Sequence, residues 1–491
     1  MRKHLTIIYC LFFTLILTIL GGCMVGPDYS RPETAADTNE GFFYAGKHNQ
    51  DVNDFAAADR WWERFGDSIT SQLVREALKN NYDLKAAAAR VLQAEAALKE
   101  TRGRKLPEVS YNLGRDRSKM SFNLGGGFGA GRFSVMSTTW SQNISVAYML
   151  DFFGKLKRAE RAAWADMFAT KANEQALINS IIAGVINARI DIAGLQNSLD
   201  IAKDNTKSLQ KTLEIVERRY EQGLVGPVDI RLARENLAAS KAAEPVIEMS
   251  LIQACHALDI LLARRPGSSE DMPGKLRGLP ELGPVPVSVP ASLLDRRPDV
   301  MAAELALRSA NEMIGVSIGQ LYPDLTISAA YGSSADRWRD IWEHFAETYS
   351  LTTSLAQPIF RGGQIRAQIN AAKARYAELA AVYNGTVLTA MAEVEDALAS
   401  ERMLLIQLEH AHVRFKEAKA AEDLSRQRYQ RGIDGILVVL ESERRRRIAE
   451  DELTGLMSQI WTTRVNLHLA LGGDWDYQKE EKVVVKEDGK K

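Results

Sequence analysis

Three sets of residues in this 491-residue chain have types and spacings that could do chemistry. His410 and His412 stand two apart in a segment that reads as helix. That spacing puts their rings on different faces and denies a metal two ligands from one side. Gly125-Gly126-Gly127-x-Gly129-x-Gly131 has the composition of a phosphate cradle. No helix follows it at once to aim amides and a positive dipole end at an anion, so it reads as a loop. The third set, Leu20-Gly21-Gly22-Cys23, places small residues before a cysteine at the end of an apolar run. Bacterial lipoproteins are acylated and cut at such a site. The sequence has no zinc-protease helix motif, Walker A loop or nucleophile elbow. It does not read as an enzyme, and no cofactor or metal is expected.

The elements around these residues are more informative. Arg2, Lys3 and His4 precede the apolar run Leu5 to Leu20, the pattern of an export signal. A plain signal peptide or a single membrane anchor would share that part of the pattern. With the small residues before it, Cys23 is expected to begin the mature chain and carry lipid. Met24 follows it where Asp would favour inner-membrane retention, so outer-membrane sorting is expected. Cys10 leaves with the signal, and Cys255 then reads as a small buried hydrophobe on a helix. Lys and Arg number 62 against 63 Asp and Glu, which argues against a nucleic-acid binder. A charged fraction of 25% argues against a helical membrane bundle.

The chain is a repeat. Arg219-Tyr220-x-x-Gly223-x-x-Gly226 recurs as Arg428-Tyr429-x-x-Gly432-x-x-Gly435, an offset of 209. Upstream, an offset of 216 carries Asp83 onto Asp299, Gly103 onto Gly319 and Pro107 onto Pro323. Each copy begins with a helix of Ala and charged residues, Asp67 to Arg104 in the first. Two strands, a very long helix, a tight turn and a returning helix follow. Leu156 to Glu221 lacks Pro and predicts one continuous helix on the order of 100 Å long. Its seam, Ile178, Ile181, Val185, Ala188, Ile192, Leu195, Leu199, Ala202, Thr206, Leu209, Leu213, Val216 and Tyr220, steps by three and four like a coiled coil. The second copy has Glu401, Glu422 and Ser425 on that seam, which predicts a register shift or a more polar face. Gly223 and Gly432 end the long helices, and Pro227 suits the first turn of the returning one.

The strands, at about 107–117, 140–150, 322–332 and 348–357, alternate apolar and polar residues. A half-buried sheet in a soluble protein gives the same signal. Three features favour a membrane: each segment is long enough to span a bilayer as a strand, aromatic residues sit near the ends, and Lys119 to Thr139 and Gly332 to Thr348 read as polar or Gly-rich hairpin loops. Strands in lipid need a closed barrel, and four are too few to close one. Such a chain must share its barrel with copies of itself. The sequence thus divides into a signal (1–22), an acylated extended segment (23–66), a first repeat (67–265), a Pro- and Gly-rich linker (266–292), a second repeat (293–475) and a charged tail (476–491).

These features resemble one family, the TolC-like outer-membrane efflux channels, in their lipoprotein branch. The motifs that carry the resemblance are Cys23-Met24-Val25-Gly26-Pro27-Asp28-Tyr29-x-Arg31-Pro32, the paired Arg-Tyr-x-x-Gly turns, Gln357-Pro358-x-Phe360-x-Gly362-Gly363, and Ala470-Leu471-Gly472-Gly473-x-Trp475. The resemblance implies a mainly α fold with a small β part. It implies a homotrimer with a shared 12-stranded barrel and an α-helical tunnel, served by a periplasmic adaptor and an inner-membrane pump. It places a periplasmic gate on Leu437, Glu441, Arg444, Asp229 and Tyr429, and adaptor contacts on Gly223, Leu224, Val225, Gly432 and Ile433. Glu441 stands where the family has Asp. Asp434 stands where some relatives have Arg, so the ion pair made from that position is expected to be missing. Without the resemblance, Arg444 to Arg447 read as a solvated helix face, with Glu441–Arg444 and Glu443–Arg447 as ordinary helix pairs. A type I protein-secretion conduit would differ only in its partners. A structural periplasmic coiled-coil lipoprotein is the competitor from another class.

Overall fold

The duplication is written in the helix boundaries. In the computed structural model, which describes residues 24–36, 41–46, 61–123, 132–269, 290 and 293–473, the order is α1 (Ser68–Asn80), α2 (Tyr82–Gly103), β1 (Glu108–Asn123), β2 (Arg132–Leu150), α3 (Lys155–Glu221), α4 (Pro227–Leu261), α5 (Leu293–Arg296), α6 (Pro298–Gly319), β3 (Asp324–Ala335), β4 (Glu347–Ala356), α7 (Gln364–Gln430) and α8 (Ile436–Ala470). Helices α3 and α7 each have 67 residues, and α4 and α8 each have 35. Both offsets seen in the sequence recur at these ends: 209 relates α3 to α7 and α4 to α8, and 216 relates α2 to α6.

Two expectations need correction. The first helix breaks at Asn81, whose Oδ1 accepts the amides of Asp83 (2.8 Å) and Leu84 (3.1 Å) and so caps α2. Its Nδ2 donates to the Leu261 carbonyl at 2.9 Å. The first hairpin is also longer than expected: the β1–β2 register runs unbroken from Glu108↔Ala147 to Asn123↔Arg132. Residues 119–123 and 132–139 of the expected loop are therefore strand. Charges at Arg115, Arg117 and Lys119 suggest a strand end, but a ladder whose side chains are exposed here tolerates them. Cys23, the signal, the Gly125–Gly131 run, most of the 266–292 linker, Trp475 and the 476–491 tail lie outside the described residues.

The chain forms two compact units, each drawing on both repeats: Met1–Pro32, Val91–Thr170 and Ala303–Tyr383 in one, and Glu33–Arg90, Lys171–Ala302 and Asn384–Lys491 in the other.

The first unit holds the sheet. Among the described residues four antiparallel strands pair in the order β1-β2-β3-β4, and the outer edges of β1 and β4 have no partner. Residues directly opposite share a face, so the register sorts the side chains into rows. On one face lie Leu150–Leu325–Leu355, Tyr148–Ile327–Thr353, Val109–Val146–Ala329–Leu351 and Tyr111–Ile144–Tyr331–Tyr349. Many of these are exposed, Tyr349 by 87% and Leu351 by 76%. An apolar patch of this kind marks a surface meant to be covered. The other face is polar, with Ser110 bonded to Ser145 (2.7 Å) and Asn112 to Asn143 (3.2 Å).

The same unit explains the motif after Cys23. The Arg158 side chain is fully buried. It donates to the carbonyls of Val25 (3.2 Å), Gly26 (3.1 Å) and Pro27 (3.0 Å) and pairs with buried Glu312 at 2.9 Å. Gly26 has φ +104°, and a Cβ there would lie 2.6 Å from the Gly315 Cα, so both the conformation and the contact demand glycine. Tyr29 and Arg31 donate to Glu304 at 3.3 and 2.6 Å.

Among the described residues, the second unit has two large apolar cores. One gathers Trp61, Trp62, Leu73, Val74, Ile181, Ile182, Val185, Ile186, Cys255, Leu258 and Trp461. The coiled-coil seam of α3 is buried over Ile181, Val185, Ile192, Leu199, Ala202, Leu209, Leu213 and Val216, and exposed only at its last member, Tyr220. Thr206, the polar position in the seam, shares a hydrogen bond with Ser240 at 2.9 Å. The second copy shows no loss of register at its polar positions. Glu401, Glu422 and Ser425 are buried and partnered, Glu401 by Arg464.

Candidate functional site at the helical turns

The two turns have the same backbone. Gly223 has φ +71° and Gly432 φ +76°. Such angles admit glycine freely and let the chain fold back on the last turn of helix. In the first turn the amides of Gly223 and Leu224 return to the carbonyls of Tyr220 and Arg219, both at 2.8 Å. In the second those of Gly432 and Ile433 return to Tyr429 and Arg428, both at 2.9 Å. Gly226 and Gly435 then start the returning helices as N-caps. The Asp229 carboxylate accepts the Gly226 amide at 3.3 Å, so this expected gate residue also caps α4.

Side chains break the symmetry of the copies. Tyr220 is 44% exposed, whereas its equivalent Tyr429 is buried at 3%. Tyr429 packs in the second core with Leu209, Leu213, Val216, Ala233, Leu237, Ile436, Val439 and Leu440. The Arg219 guanidinium lies 4.7 Å over the Tyr429 ring and donates to the Tyr429 carbonyl at 2.5 Å. Thus the first turn's arginine ties down the second turn. Arg428, its equivalent, grips Asp434 with two hydrogen bonds at 2.7 and 3.1 Å. Asp434 is therefore paired within its own turn, and that hydrogen-bonded pair holds its carboxyl below the usual range. Burial pushes the Tyr429 hydroxyl up against the opposing effect of Arg219.

The residues assigned to adaptor contact divide in two. Leu224 and Ile433 are 62% and 57% exposed, but Val225 is half-buried against the core. The gate residues divide likewise. Leu437, Glu441 and Arg444 share an exposed stripe of α8, where they line an open groove of about 960 Å³ against the Arg414, Glu417 and Ala421 positions of α7. Tyr429 and Asp229 belong to the packed turn. Glu441 accepts two hydrogen bonds from Arg444, both 2.8 Å, and one from Arg445 at 2.7 Å. Those hydrogen bonds, Arg444 first and then Arg445, lower its carboxyl to about 2. Arg445 is thus a member of the charged fork that the sequence reading left out.

Behind the stripe lies a network that helix spacing misplaces. Glu443 does not pair with Arg447 along the helix. It is buried, and its Oε1 accepts Thr212 Oγ1 of α3 at 3.0 Å and Arg426 of α7 at 2.8 Å. Arg426 also donates to Glu422 (2.9 Å) and Ser208 (2.7 Å). Arg446, expected in solvent, is largely buried between Glu422 and Glu450. Ser425 and Ser442 share a hydrogen bond at 2.6 Å. Three helices are therefore joined by charged side chains next to the exposed Leu437–Glu441–Arg444 stripe. The available signal was the pair of polar interruptions, Glu422 and Ser425, in the α7 seam.

Nothing in this geometry is a reaction centre, and among the described residues no cluster of side chains could hold a metal. What it offers is an open four-stranded sheet and a helical end with a charged stripe. Known proteins share this arrangement. The profile of the outer membrane efflux protein family matches residues 73–264 and 289–473. The pyoverdine export outer membrane protein OpmQ of Pseudomonas aeruginosa is 30% identical over 465 residues, covering 94% of this chain and 96% of that one. The toluene efflux pump outer membrane protein TtgF of Pseudomonas putida is 28% identical over 473 residues, covering 95% and 97%. The structure of the outer-membrane channel OprN superposes with a TM-score of 0.82 at 28% identity, over 92% of this chain and 99% of that one. The chain belongs to the outer membrane efflux protein family and is an outer-membrane channel, not an enzyme.

Proposed function

We propose that three copies close their four-stranded sheets into one 12-stranded barrel, and that the long helices continue the barrel as a periplasmic duct. The observation that carries this reading is the sheet itself. It is apolar on one face and polar on the other, and both its edges are unpaired. Open edges in hydrocarbon would leave backbone groups unsatisfied, and pairing β1 with the next copy's β4 removes them. The polar face supplies Ser110, Asn112, Asn143, Ser145, Thr326, Ser328, Thr352 and Ser354. Its charges are all acidic, Glu108 and Asp116 on β1 and Asp324 on β3, and the rows between Glu108 and Asp116 carry none. Selection then belongs to the partners, an inner-membrane pump and a periplasmic adaptor, and the cargo is small molecules such as drugs or other toxic compounds.

Lipid on Cys23 anchors the mature chain at the periplasmic leaflet, and the Arg158 clamp fixes the segment that follows. The stripe Leu437, Glu441 and Arg444 closes the duct at rest. The turns at Gly223–Val225 and Gly432–Ile433 receive the adaptor, with Leu224 and Ile433 as the exposed apolar contacts. The test is efflux in cells that carry Leu224→Asp with Ile433→Asp. Trimers should persist in the outer membrane while drug export falls to the level of a strain lacking the channel. Export at the wild-type rate would overturn the assignment.

A further inference from the structure

The register of β1 reveals a feature that conduction does not use. Its apolar face runs Val109, Tyr111, Leu113 and then continues, without changing face, into Arg115, Arg117 and Lys119. The paired residues on β2 along that extension are Trp140, Thr138 and Met136. The acid between the cations, Asp116, points to the other face by alternation. All three cations are exposed, and among the described residues none has an ion-pair partner. The Arg115 guanidinium lies 5.1 Å over the Trp140 ring, and Trp140 in turn meets Trp338 at 5.1 Å.

Position along the strand gives the ladder its meaning. The apolar rows extend from Leu325 to Tyr331, about 20 Å along the strand at roughly 3.3 Å per residue, or about 15 Å along the membrane normal at a tilt of roughly 40°, and the stacked pair Phe153–Tyr322 (4.6 Å) sits below them. The Tyr111–Ile144–Tyr331–Tyr349 row forms the upper aromatic border. The next row, Leu113–Gln142–Ser333–Glu347, is already mostly polar. With a strand tilt of roughly 40°, Arg115 stands about 10 Å above the tyrosine row and Lys119 about 20 Å above it. These are heights of headgroups, not of hydrocarbon.

We propose that Arg115, Arg117 and Lys119 form a cationic ladder that binds the phosphorylated headgroups of outer-leaflet glycolipids. This rests on the reading of the sheet as a membrane barrel with its apolar face outward. Three positive charges in one column, about 7 Å apart along the strand, complement phosphates that stand at successive heights above an acyl layer. The apolar rows beneath would hold the acyl chains of the same lipid. Stacking on Trp140 limits the rotamers of Arg115, so less freedom is lost when it takes a phosphate.

The experiment titrates the full-length protein in neutral detergent with diphosphoryl lipid A and with its dephosphorylated form. Binding is read by native mass spectrometry and tryptophan fluorescence. The triple variant R115Q/R117Q/K119Q should bind the diphosphoryl lipid roughly tenfold to a hundredfold more weakly. The dephosphorylated lipid should bind both proteins alike, and R115K/R117K should keep most of the affinity. Equal affinity of wild type and triple variant for the diphosphoryl lipid would overturn the proposal. So would a preference of wild type for soluble polyphosphate, which would make this a site for extracellular polyanions. Carbonate extraction separates the two levels of the claim. Release of wild type from membranes would refute the barrel reading and the ladder with it. Retention together with phosphate-independent binding would refute the ladder alone.

Discussion

Replacing Thr212 by Val removes one hydroxyl from beneath the Glu443 carboxylate and leaves the shape of the side chain nearly intact. Thr212 and Glu443 are 4% and 2% exposed, and the hydrogen bond between them is 3.0 Å. A hydrogen bond to a buried charge contributes about 1.5–3 kcal/mol. Glu443 keeps Arg426 at 2.8 Å in the variant, so partial compensation places the cost near the lower figure. Glu443→Gln keeps an acceptor but discards the charge that faces Arg426. Glu443→Ala leaves Arg426 with Glu422 as its remaining carboxylate and should cost about 3 kcal/mol. The assay is amide hydrogen exchange of the full-length protein in detergent micelles, followed at residues 208–216 of α3 and 436–446 of α8. Thr212→Val should raise the local opening constant about tenfold. In the double variant with Glu443→Gln, the two effects should fall short of their sum by about 1–2 kcal/mol, because both break one contact. Additivity within about 0.3 kcal/mol would refute the claim that Glu443 joins α3, α7 and α8.

Other consequences are open to direct test. Arg158→Met should leave buried Glu312 with only the longer 4.0 Å contact to Arg161, at a cost of about 3 kcal/mol. Limited proteolysis of the intact protein should then cut within residues 24–36 many times faster than in wild type. Glu441 has a depressed pKa of about 2, so its contribution is complete above the ordinary carboxylate value and is lost only as pH falls through about 2. Passage of a large antibiotic through the wild-type channel should accordingly be flat from pH 5 to 8. Val225→Asp should lower the thermal unfolding temperature, because Val225 packs on the Leu213–Tyr429 core, whereas Leu224→Asp should leave it within a degree.

Much of this molecule was legible because local signals agreed with one another. The helix ends follow from repeated glycines and prolines, and the burial of α3 follows from an apolar seam that needs no knowledge of its partner. The sheet faces follow from alternation. Other features depend on what lies across a tertiary contact. Glu422 in a heptad seam looks like an interruption until Arg446 of α8 is found beside it. Glu443 and Arg447 have good helix spacing, yet Thr212 and Arg426 draw the carboxylate inward. Arg219 and Arg428 are equivalent in the repeat, and only the fold shows that one holds Tyr429 and the other Asp434. The break at Asn81 was hidden because an asparagine in a charged, Ala-rich stretch carries no warning before its side chain finds the Leu261 carbonyl. The same limit applies to Arg115, Arg117 and Lys119: the strand was expected to end near 117 and Lys119 to begin a loop, until the register gave all three a common face.

The central claim is that this chain forms an outer-membrane duct closed by the stripe that contains Glu441 and Arg444. Conductance of the purified full-length protein in planar lipid bilayers tests it most directly. Wild type should insert and conduct in small steps, and Glu441→Ala with Arg444→Ala should conduct in steps several-fold larger at the same voltage and salt. Equal steps from the two proteins would remove these residues from the gate, and no conductance from either would contradict the channel itself.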